Sequence, residues 1–344
     1  MSEERPNVLQ QLDEKPPEDV ATSPIQRTLR YVGPAIALAL IAAAAVVLWE
    51  MVTSVSLDEV AGSLYAMPVW RIVLAILCTL VGLAALASYD LVALAVIRHA
   101  LPISTRRALA GGFVANVFAN ALGLPLLSGG TARWRIYSMV GAGLSVVGRL
   151  TVMSWLTMWS GILLVVGLTL TFEPGGQASV FGDHLIDRVV GVALMLALVG
   201  FVAWAGVIRR TIRLGGWSIR MPNAGSAAAM MIAGAVDLVA AAGTLYVLLP
   251  ADVVPDLARY LVTYSVGLLA GIVASTPGGI GVFEAAIVAG LDIAADRPDV
   301  AAALILFRLI YFFGPLVFAL ALLGLIELRH RRRAGCDDAG TGDA

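Results

Sequence analysis

The sequence predicts an all-α integral membrane protein, and three observations support this prediction. Hydrophobic residues make up 59% of the 344 residues and charged residues only 14%, whereas soluble domains have about 45–50% apolar and about 25% charged residues. The mean hydropathy is +0.88. Several apolar runs also reach the roughly 20 residues that a helix needs to cross a bilayer. Lipid is therefore expected to surround most of the chain.

Apolar runs of this length predict about six full transmembrane helices, at 32–51, 69–97, 150–172, 189–207, 225–249 and 300–326. Two further apolar stretches are broken: 108–139 by GLPLLSGGTARWR, and 260–295 by STPGGIG. We predict that each forms a helical hairpin, either re-entrant or built from two ordinary short helices. Irregular backbone at membrane depth is tolerated where it is buried in protein or lines a wet cavity.

The distribution of basic residues predicts which loops face the cytoplasm. Arginines cluster after the second, fourth and sixth predicted helices, at 98–107, 209–220 and 329–333, whereas the loops 54–67, 173–187 and 249–256 are acidic. Both termini are thus predicted to be cytoplasmic in a bacterial inner membrane. Polar, disordered tails are expected at 1–30 and 329–344, on either side of a transmembrane domain at 31–328.

This orientation predicts an inverted repeat. Both ends of the first broken stretch would lie inside and both ends of the second outside, so each half reads helix, helix, hairpin, helix. Asp90 precedes a Gly-Gly pair at 129–130 by about as much as Asp237 precedes one at 278–279. Inverted repeats with broken helices are a transporter design, with the binding site near the bilayer midplane.

Four ionisable residues inside the apolar runs are candidates for function, because a charge within the membrane is costly. Asp90 lies late in the second helix, where it is either functional or a solvated group near the interface. Asp237 lies in the middle of a helix and predicts a paired or coupling role. Glu284 and Arg308 are predicted to form one buried ion pair, which either holds the structure together or gates a cavity.

The first hairpin predicts a site for an anionic headgroup, formed by Asn116, Asn120, Gly129, Gly130, Arg133, Arg135 and Tyr137. The Gly-Gly pair would free the backbone to turn, and the following half-helix would direct its positive dipole end at the break. The two arginines have the planar guanidinium group that suits phosphate oxygens. Alternatively, both arginines are only topology anchors. The second hairpin, with its TPGG turn, is either part of the site or a simple kink.

Features of soluble enzymes are absent from the sequence. We find no zinc-ligand spacing, phosphate-binding loop or nucleophile elbow, and His99, His184 and His330 are far apart. Cys78 and Cys336 predict neither a disulfide nor a metal site. A net charge of −1 argues against nucleic-acid binding. We therefore expect no catalytic residues, no metal and no cofactor.

The segment SGGTARWRIYSMVGAGLS contains the pattern G-G-x-x-R-x-R-x-Y-x-x-x-G. This pattern resembles a segment in the transmembrane region of the lysylphosphatidylglycerol synthetase/flippase family. That region's P-G-G-x-G-x-x-E and R-x-x-Y-x-x-x-P segments are similar to STPGGIGVFEAAIVAGL and FRLIYFFGPL, and SYDLVAL also resembles a stretch of it. These motifs occur in the expected order.

The resemblance implies a membrane region that moves an aminoacylated phospholipid between leaflets. Bifunctional members of that family carry a soluble C-terminal transferase domain, which this chain is expected to lack, so lysyl transfer is not implied. The motif positions carried over are Gly129, Gly130, Arg133, Arg135, Tyr137, Pro277, Gly278, Gly279, Gly281, Glu284, Arg308, Tyr311 and Pro315.

The sequence as a whole predicts a flippase-like translocase for a phospholipid or lipid-linked anionic substrate. A headgroup would enter a polar cavity between the two hairpins while its apolar chains stay in lipid, with Asp237 coupling transport to protons. The main alternative is a non-transporting scaffold for a separate lipid- or glycan-modifying enzyme, and an intramembrane enzyme is a further one. The expected partners are membrane lipids and, for the scaffold, a separately encoded transferase.

Overall fold

The computed structural model describes residues 62, 65, 67–97, 103–122, 125–172, 183–207, 211–214, 217–220, 222–254, 256–274, 277–293 and 297–340. The predicted first helix at 32–51 and the predicted tail at 1–30 lie outside these residues. So do residues 341–344 at the other end of the chain.

The described residues form helices joined by short connections, with one small β-ribbon. The elements are α1 (Val69–Ile97), α2 (Thr105–Leu122), α3 (Pro125–Ser138), α4 (Leu144–Phe172), α5 (His184–Val207), β1 (Thr211–Leu214), β2 (Trp217–Arg220), α6 (Ala224–Leu248), α7 (Leu257–Ala274), a 3₁₀ turn (Pro277–Gly279), α8 (Val282–Gly290), α9 (Pro298–Phe307), a π-helical turn (Arg308–Phe313) and α10 (Gly314–Gly340). The ribbon is antiparallel. The sequence analysis had assigned its residues to a loop.

Six helical stretches in the described residues are long and apolar enough to cross a membrane. Five of them contain the cores of predicted helices: α1, α4, α5, α6 and the continuous run from α9 to α10. The sixth is α7, which the sequence analysis had assigned to the first arm of the second broken stretch. The prediction of an all-α integral membrane protein is confirmed.

Both broken stretches fold as antiparallel helical hairpins. The first pairs α2 with α3, and the second pairs α7 with α8. The short arms, α3 and α8, have 14 and 9 residues. At 1.5 Å per residue they are about 21 Å and about 14 Å long, too short to cross a hydrocarbon layer of about 30 Å. Neither short arm is therefore long enough to form a transmembrane helix by itself.

The two Gly-Gly pairs have different roles. Gly129 and Gly130 lie inside α3, so the prediction that they turn the backbone is wrong. A Cβ on Gly129 would lie 3.1 Å from the Ala115 carbonyl oxygen, which indicates that this glycine allows α2 and α3 to pack closely. In the second hairpin the turn is confirmed, because Gly278 and Gly279 have φ angles of 58° and 69°, which glycine adopts without strain.

Helices α1 and α6 pack side by side in antiparallel orientation at the centre of the fold. Thr79 and Thr244 share a hydrogen bond of 3.1 Å between their hydroxyls, and a Cβ on Gly82 would contact Ala240 at 3.4 Å. Each of these helices precedes the hairpin of its own half of the chain. Antiparallel packing of the two is the arrangement that an inverted repeat requires.

The apolar core divides into two clusters, one around each hairpin. The first contains Phe118, Ile136 and Leu150, and the second contains Phe283 and Phe307, each with many neighbours. At the carboxyl end the structure differs from the predicted disordered tail, since α10 continues to Gly340. No proline interrupts this segment, so the helix can extend past the apolar run.

Candidate functional site

A cavity of about 90 Å³ lies where the two hairpins meet α1, α4 and α6. This volume has room for a few water molecules or one small polar group. Its lining includes Ala119 and Asn120 from the first hairpin and Gly278 and Gly279 from the second. The cavity therefore lies between the hairpins, and its mostly apolar lining contains several polar side chains. The side chains that make it polar are Tyr89, Asn116, Asn120, Arg133, Ser154, Asp237, Tyr264 and Tyr311.

On one side of the cavity Asp90 is fully buried, with 0% of its surface exposed, and is neutralised by Arg133. The Arg133 Nε donates to both carboxylate oxygens, at 2.9 and 3.2 Å. The Tyr137 hydroxyl donates to Asp90 Oδ2 at 2.7 Å, and the Ser154 hydroxyl donates to Oδ1 at 3.2 Å. Asp90 is thus not a solvated group at the interface.

The remaining hydrogen bonds of Arg133 hold two further helices, α2 and α4, against α3. Its Nη2 donates to Asn116 Oδ1 at 3.0 Å and to Ser154 Oγ at 2.7 Å. Asn116 in turn donates to the Leu86 carbonyl at 3.0 Å. With only 2% of its surface exposed, Arg133 lines the cavity as part of a closed network rather than as a free phosphate ligand.

Arg135 does not lie beside Arg133 in the cavity lining, so the predicted pair of phosphate-binding arginines is not formed. Its Nη2 donates to both carboxylate oxygens of Glu327 on α10, at 2.6 and 2.5 Å. This ion pair links the first hairpin to the last helix. The first hairpin therefore supplies the cavity with Asn116, Asn120 and Arg133, while Arg135 joins elements at its edge.

On the other side of the cavity Asp237 is buried, with 9% of its surface exposed. The Tyr89 hydroxyl donates to Oδ2 at 2.8 Å and the Tyr311 hydroxyl to Oδ1 at 3.4 Å. Within the described part of the chain, no arginine forms an ion pair with this carboxyl group. Both aspartates accept hydrogen bonds from hydroxyl groups. Asp237 differs from Asp90 because it has no arginine partner among the described residues.

Glu284 and Arg308 form the ion pair that the sequence predicted. Arg308 Nη1 also donates to the Gly278 carbonyl at 3.0 Å, and Glu284 Oε2 accepts from the Gly281 amide at 2.8 Å. The guanidinium carbon lies 5.7 Å from the centre of the Phe312 ring. These contacts fasten the glycine turn to the π-helical turn, just behind the lining of the cavity.

The π-helical turn positions two candidate functional residues, Arg308 and Tyr311, so that each contacts a different partner. The Gly314 amide bonds to the Leu309 carbonyl, five residues earlier, and Pro315 has no N–H with which to continue the ladder. Within this wide turn Arg308 reaches Glu284, while Tyr311 reaches Asp237. Such single π turns are frequent at functional sites.

Aromatic side chains form the wall next to Asp237. Tyr311 was predicted from the sequence as a site residue, whereas Tyr264, Phe283 and Phe307 were not. The Phe307 and Tyr311 rings stack with their centroids 5.4 Å apart, and Tyr264 meets Phe283 edge to face at the same distance. Trp155 also lines the cavity, and its Nε1 is buried without a hydrogen-bond partner among the described residues. An unpaired buried donor of this kind is uncommon in folded proteins.

Of the residues missed, Tyr89 had a usable signal. It directly precedes Asp90 and is polar in an apolar helix. Successive residues of a helix point about 100° apart, so Tyr89 and Asp90 reach different partners. Ser154 and Tyr264 gave no comparable signal, because single hydroxyls are common in membrane helices.

We expect Glu284 and Arg308 to depend on each other for stability. Glu284→Gln or Arg308→Gln would each strand a partly buried charge, at a cost of about 3 kcal/mol or less given their partial exposure. The double variant should lose less than the sum, because neither charge remains. Thermal unfolding of the detergent-solubilised protein measures all three effects, and strict additivity would show that the pair contributes nothing.

Two curated relatives align with most of the chain. The chain is 30% identical over 259 residues to the uncharacterized protein slr0712 of Synechocystis sp. (strain ATCC 27184 / PCC 6803 / Kazusa), covering 74% of this chain and 79% of the relative. The chain belongs to the slr0712 family. It is also 26% identical over 258 residues to the inner membrane protein YbhN of Escherichia coli (strain K12), covering 73% of this chain and 78% of that protein.

YbhN is an inner membrane protein, and the similarity to it agrees with the six described stretches that are long and apolar enough to cross a membrane. No family model matches the chain. The resemblance to the lysylphosphatidylglycerol synthetase/flippase family and the cytoplasmic position of both termini therefore remain predictions.

Proposed function

We propose that the protein is a non-enzymatic, flippase-like translocase for a phospholipid or another lipid-linked substrate. The observation that carries this proposal is the polar cavity at the meeting point of two broken hairpins, which contains the uncompensated carboxyl group of Asp237. A buried acid without a cation is costly for stability alone. The position of Asp237 next to a cavity supports a role in transport.

The headgroup would enter between the hairpins while the apolar chains stay in lipid. A cavity of about 90 Å³ is too small for a whole phospholipid headgroup, so the hairpins must move apart during transport. The glycine turn supports such a movement, because Gly278 and Gly279 lie at the cavity and tolerate backbone changes that other residues resist.

The polar side chains of the cavity lining have two different proposed roles. Some stabilise the packing of the helices, and others contact the substrate or couple its movement to protons. Arg133 is engaged by Asp90, so binding a phosphate group would require it to exchange partners. Asn120, Tyr264 and the indole N–H of Trp155 offer neutral contacts to a headgroup. We assign the coupling role to Asp237, which would gain or lose a proton as the substrate passes.

The experiment that tests the function is lipid movement by purified protein in liposomes. Fluorescent phosphatidylglycerol and phosphatidylethanolamine would be placed in both leaflets, and a membrane-impermeant quencher would report the fraction that reaches the outer leaflet. We expect faster movement of at least one lipid than in protein-free liposomes, and an effect of an imposed pH gradient. Equal rates with and without protein, for both lipids, would contradict the proposal and favour the scaffold.

A further inference from the structure

The two carboxylate oxygens of Asp237 accept hydrogen bonds from tyrosines in different parts of the fold. Tyr89, on α1, donates to Oδ2 at 2.8 Å. Tyr311, in the π-helical turn, donates to Oδ1 at 3.4 Å. A hydrogen bond of this length is weaker than one of 2.8 Å, so the contact with the π-helical turn is the easier of the two to break.

The π-helical turn connects Asp237 to the glycine turn of the second hairpin. Three residues before Tyr311, Arg308 donates to the Gly278 carbonyl at 3.0 Å and forms an ion pair with Glu284. Residues three apart on an α-helix lie on the same face, whereas the wider π turn lets these two side chains reach different helices. A movement of Tyr311 would therefore reach Arg308 through one turn of six residues.

The glycine turn at the far end of this connection has a backbone that can change conformation at low cost. Gly278, Gly279 and Gly281 have φ angles of 58°, 69° and 82°, and glycine adopts positive and negative φ about equally well. Arg308 binds the carbonyl of the first of these glycines. Glu284 accepts from the amide of the last at 2.8 Å. One ion pair thus holds the turn at both of its ends.

We propose that Tyr311 is a positioning residue that transmits the protonation state of Asp237 to the glycine turn. This inference rests on the proposed coupling role of Asp237 and assigns the path by which that role would move the second hairpin. An ionised carboxylate accepts at both oxygens, whereas a protonated one has an O–H group that donates. Protonation at Oδ1 would therefore remove the acceptor of Tyr311, release the π-helical turn and loosen the hold of Arg308 on Gly278.

The other ionisable groups that line the cavity are Tyr89, Tyr264 and Arg133. Arg133 is paired with its own aspartate on the first hairpin's side of the cavity. Tyr264 lies on α7 and packs edge to face on an aromatic ring. Tyr89 gives the matched control for Tyr311, because it binds the same carboxyl group by a shorter hydrogen bond from outside the π-helical turn.

Hydrogen–deuterium exchange of the purified full-length protein in detergent tests this path. Asp237→Asn imitates the neutral acid and has one acceptor oxygen instead of two, so it cannot accept from both tyrosines. We expect the amides of residues 278–284 to exchange about fivefold faster or more in this variant. Tyr311→Phe should produce the same increase, and Asp237→Asn should add nothing to it. The amides of α2 should be unchanged, which distinguishes a local effect from general loosening.

Two further variants test the two ends of the path. Tyr89→Phe should leave the exchange of the glycine turn unchanged, and Asp237→Asn should still accelerate it in that background. Arg308→Lys keeps the charge opposite Glu284 but loses the fork that also reaches Gly278. In this variant the turn should exchange faster and respond less to Asp237→Asn.

Three results would each overturn the proposal. They are unchanged exchange of the turn in Asp237→Asn, a larger effect of Tyr89→Phe than of Tyr311→Phe, and an Asp237→Asn effect that persists without the Tyr311 hydroxyl. The proposed function fails separately, because lipid movement in liposomes measures it and exchange in detergent does not.

Discussion

Replacing Arg133 by glutamine is expected to destabilise the protein more than any other single change to the site. The variant leaves Asp90 fully buried with hydroxyl partners but no cation. Stranding one member of a buried ion pair costs about 3–5 kcal/mol. Arg133 also bridges Asn116 and Ser154, so its loss would loosen the packing of α1, α2, α3 and α4 together.

Two further variants separate the charge of Arg133 from its shape. Arg133→Lys keeps the charge, but an ammonium group cannot reproduce the fork that reaches Asp90, Asn116 and Ser154 at once, so we expect an intermediate loss of stability. Asp90→Asn combined with Arg133→Gln removes both charges and should be milder than Arg133→Gln alone.

Thermal unfolding in detergent, followed by the loss of the monodisperse peak, measures the series. Arg106→Gln is the matched control, because Arg106 is an exposed arginine on α2. If Arg133→Gln were no less stable than this control, the network would not hold the hairpin. The first hairpin would then again be available as a phosphate site.

Asp237→Asn is expected to differ from Arg133→Gln. It should keep a stable fold but move little lipid. Asparagine has nearly the same shape and keeps an oxygen that can accept from Tyr89 or Tyr311. The substitution strands no cation, because none pairs with Asp237 among the described residues. We therefore expect unchanged or higher thermal stability, and a rate of lipid movement lower by roughly tenfold or more.

The pH dependence of transport gives a second measurement on the same variant. A group that exchanges a proton during transport links the rate to the pH gradient, and asparagine cannot titrate. Asp237→Asn should therefore lose the response to an imposed gradient that we expect of the wild type. Residual movement by the variant should be the same with and without the gradient.

Thr244→Val is the matched control for this experiment. Thr244 is buried on the same helix and bonds to Thr79, but it does not line the cavity. Its loss should lower stability slightly and leave transport per folded molecule unchanged. Wild-type transport by Asp237→Asn would remove Asp237 from the mechanism, even if the protein moves lipids.

Asp90 is paired with an arginine and, within the described part of the chain, Asp237 is not, and this difference limits which groups of the cavity can bind a phosphate. Sequence reasoning gave the first hairpin two free arginines, whereas in the structure Arg133 is bound to Asp90 and Arg135 to Glu327. Among the described residues that line the cavity, Asp237 has a carboxyl group without a cationic partner. A substrate phosphate would thus need a rearrangement of Arg133 before it could bind.

The sequence by itself determined the membrane environment, most of the helices, both breaks and the Glu284–Arg308 pair. These features are local. Apolar run length depends on composition alone, and a TPGG segment turns because of its own proline and glycine residues. Glu284 and Arg308 are only 24 residues apart. Glu284 lies shortly after the TPGG turn, and Arg308 lies in the predicted helix at 300–326.

Tertiary structure alone decided which of the described charges are paired and that Asp237 has no cationic partner among the described residues. Asp90 meets Arg133 across 43 residues, and Arg135 meets Glu327 across 192. Such pairs depend on how helices rotate about their axes and on which faces they bury, and close packing at glycines such as Gly129 sets both. In a membrane an apolar face can turn toward protein or lipid at similar cost, so the hydrophobic pattern does not encode that rotation.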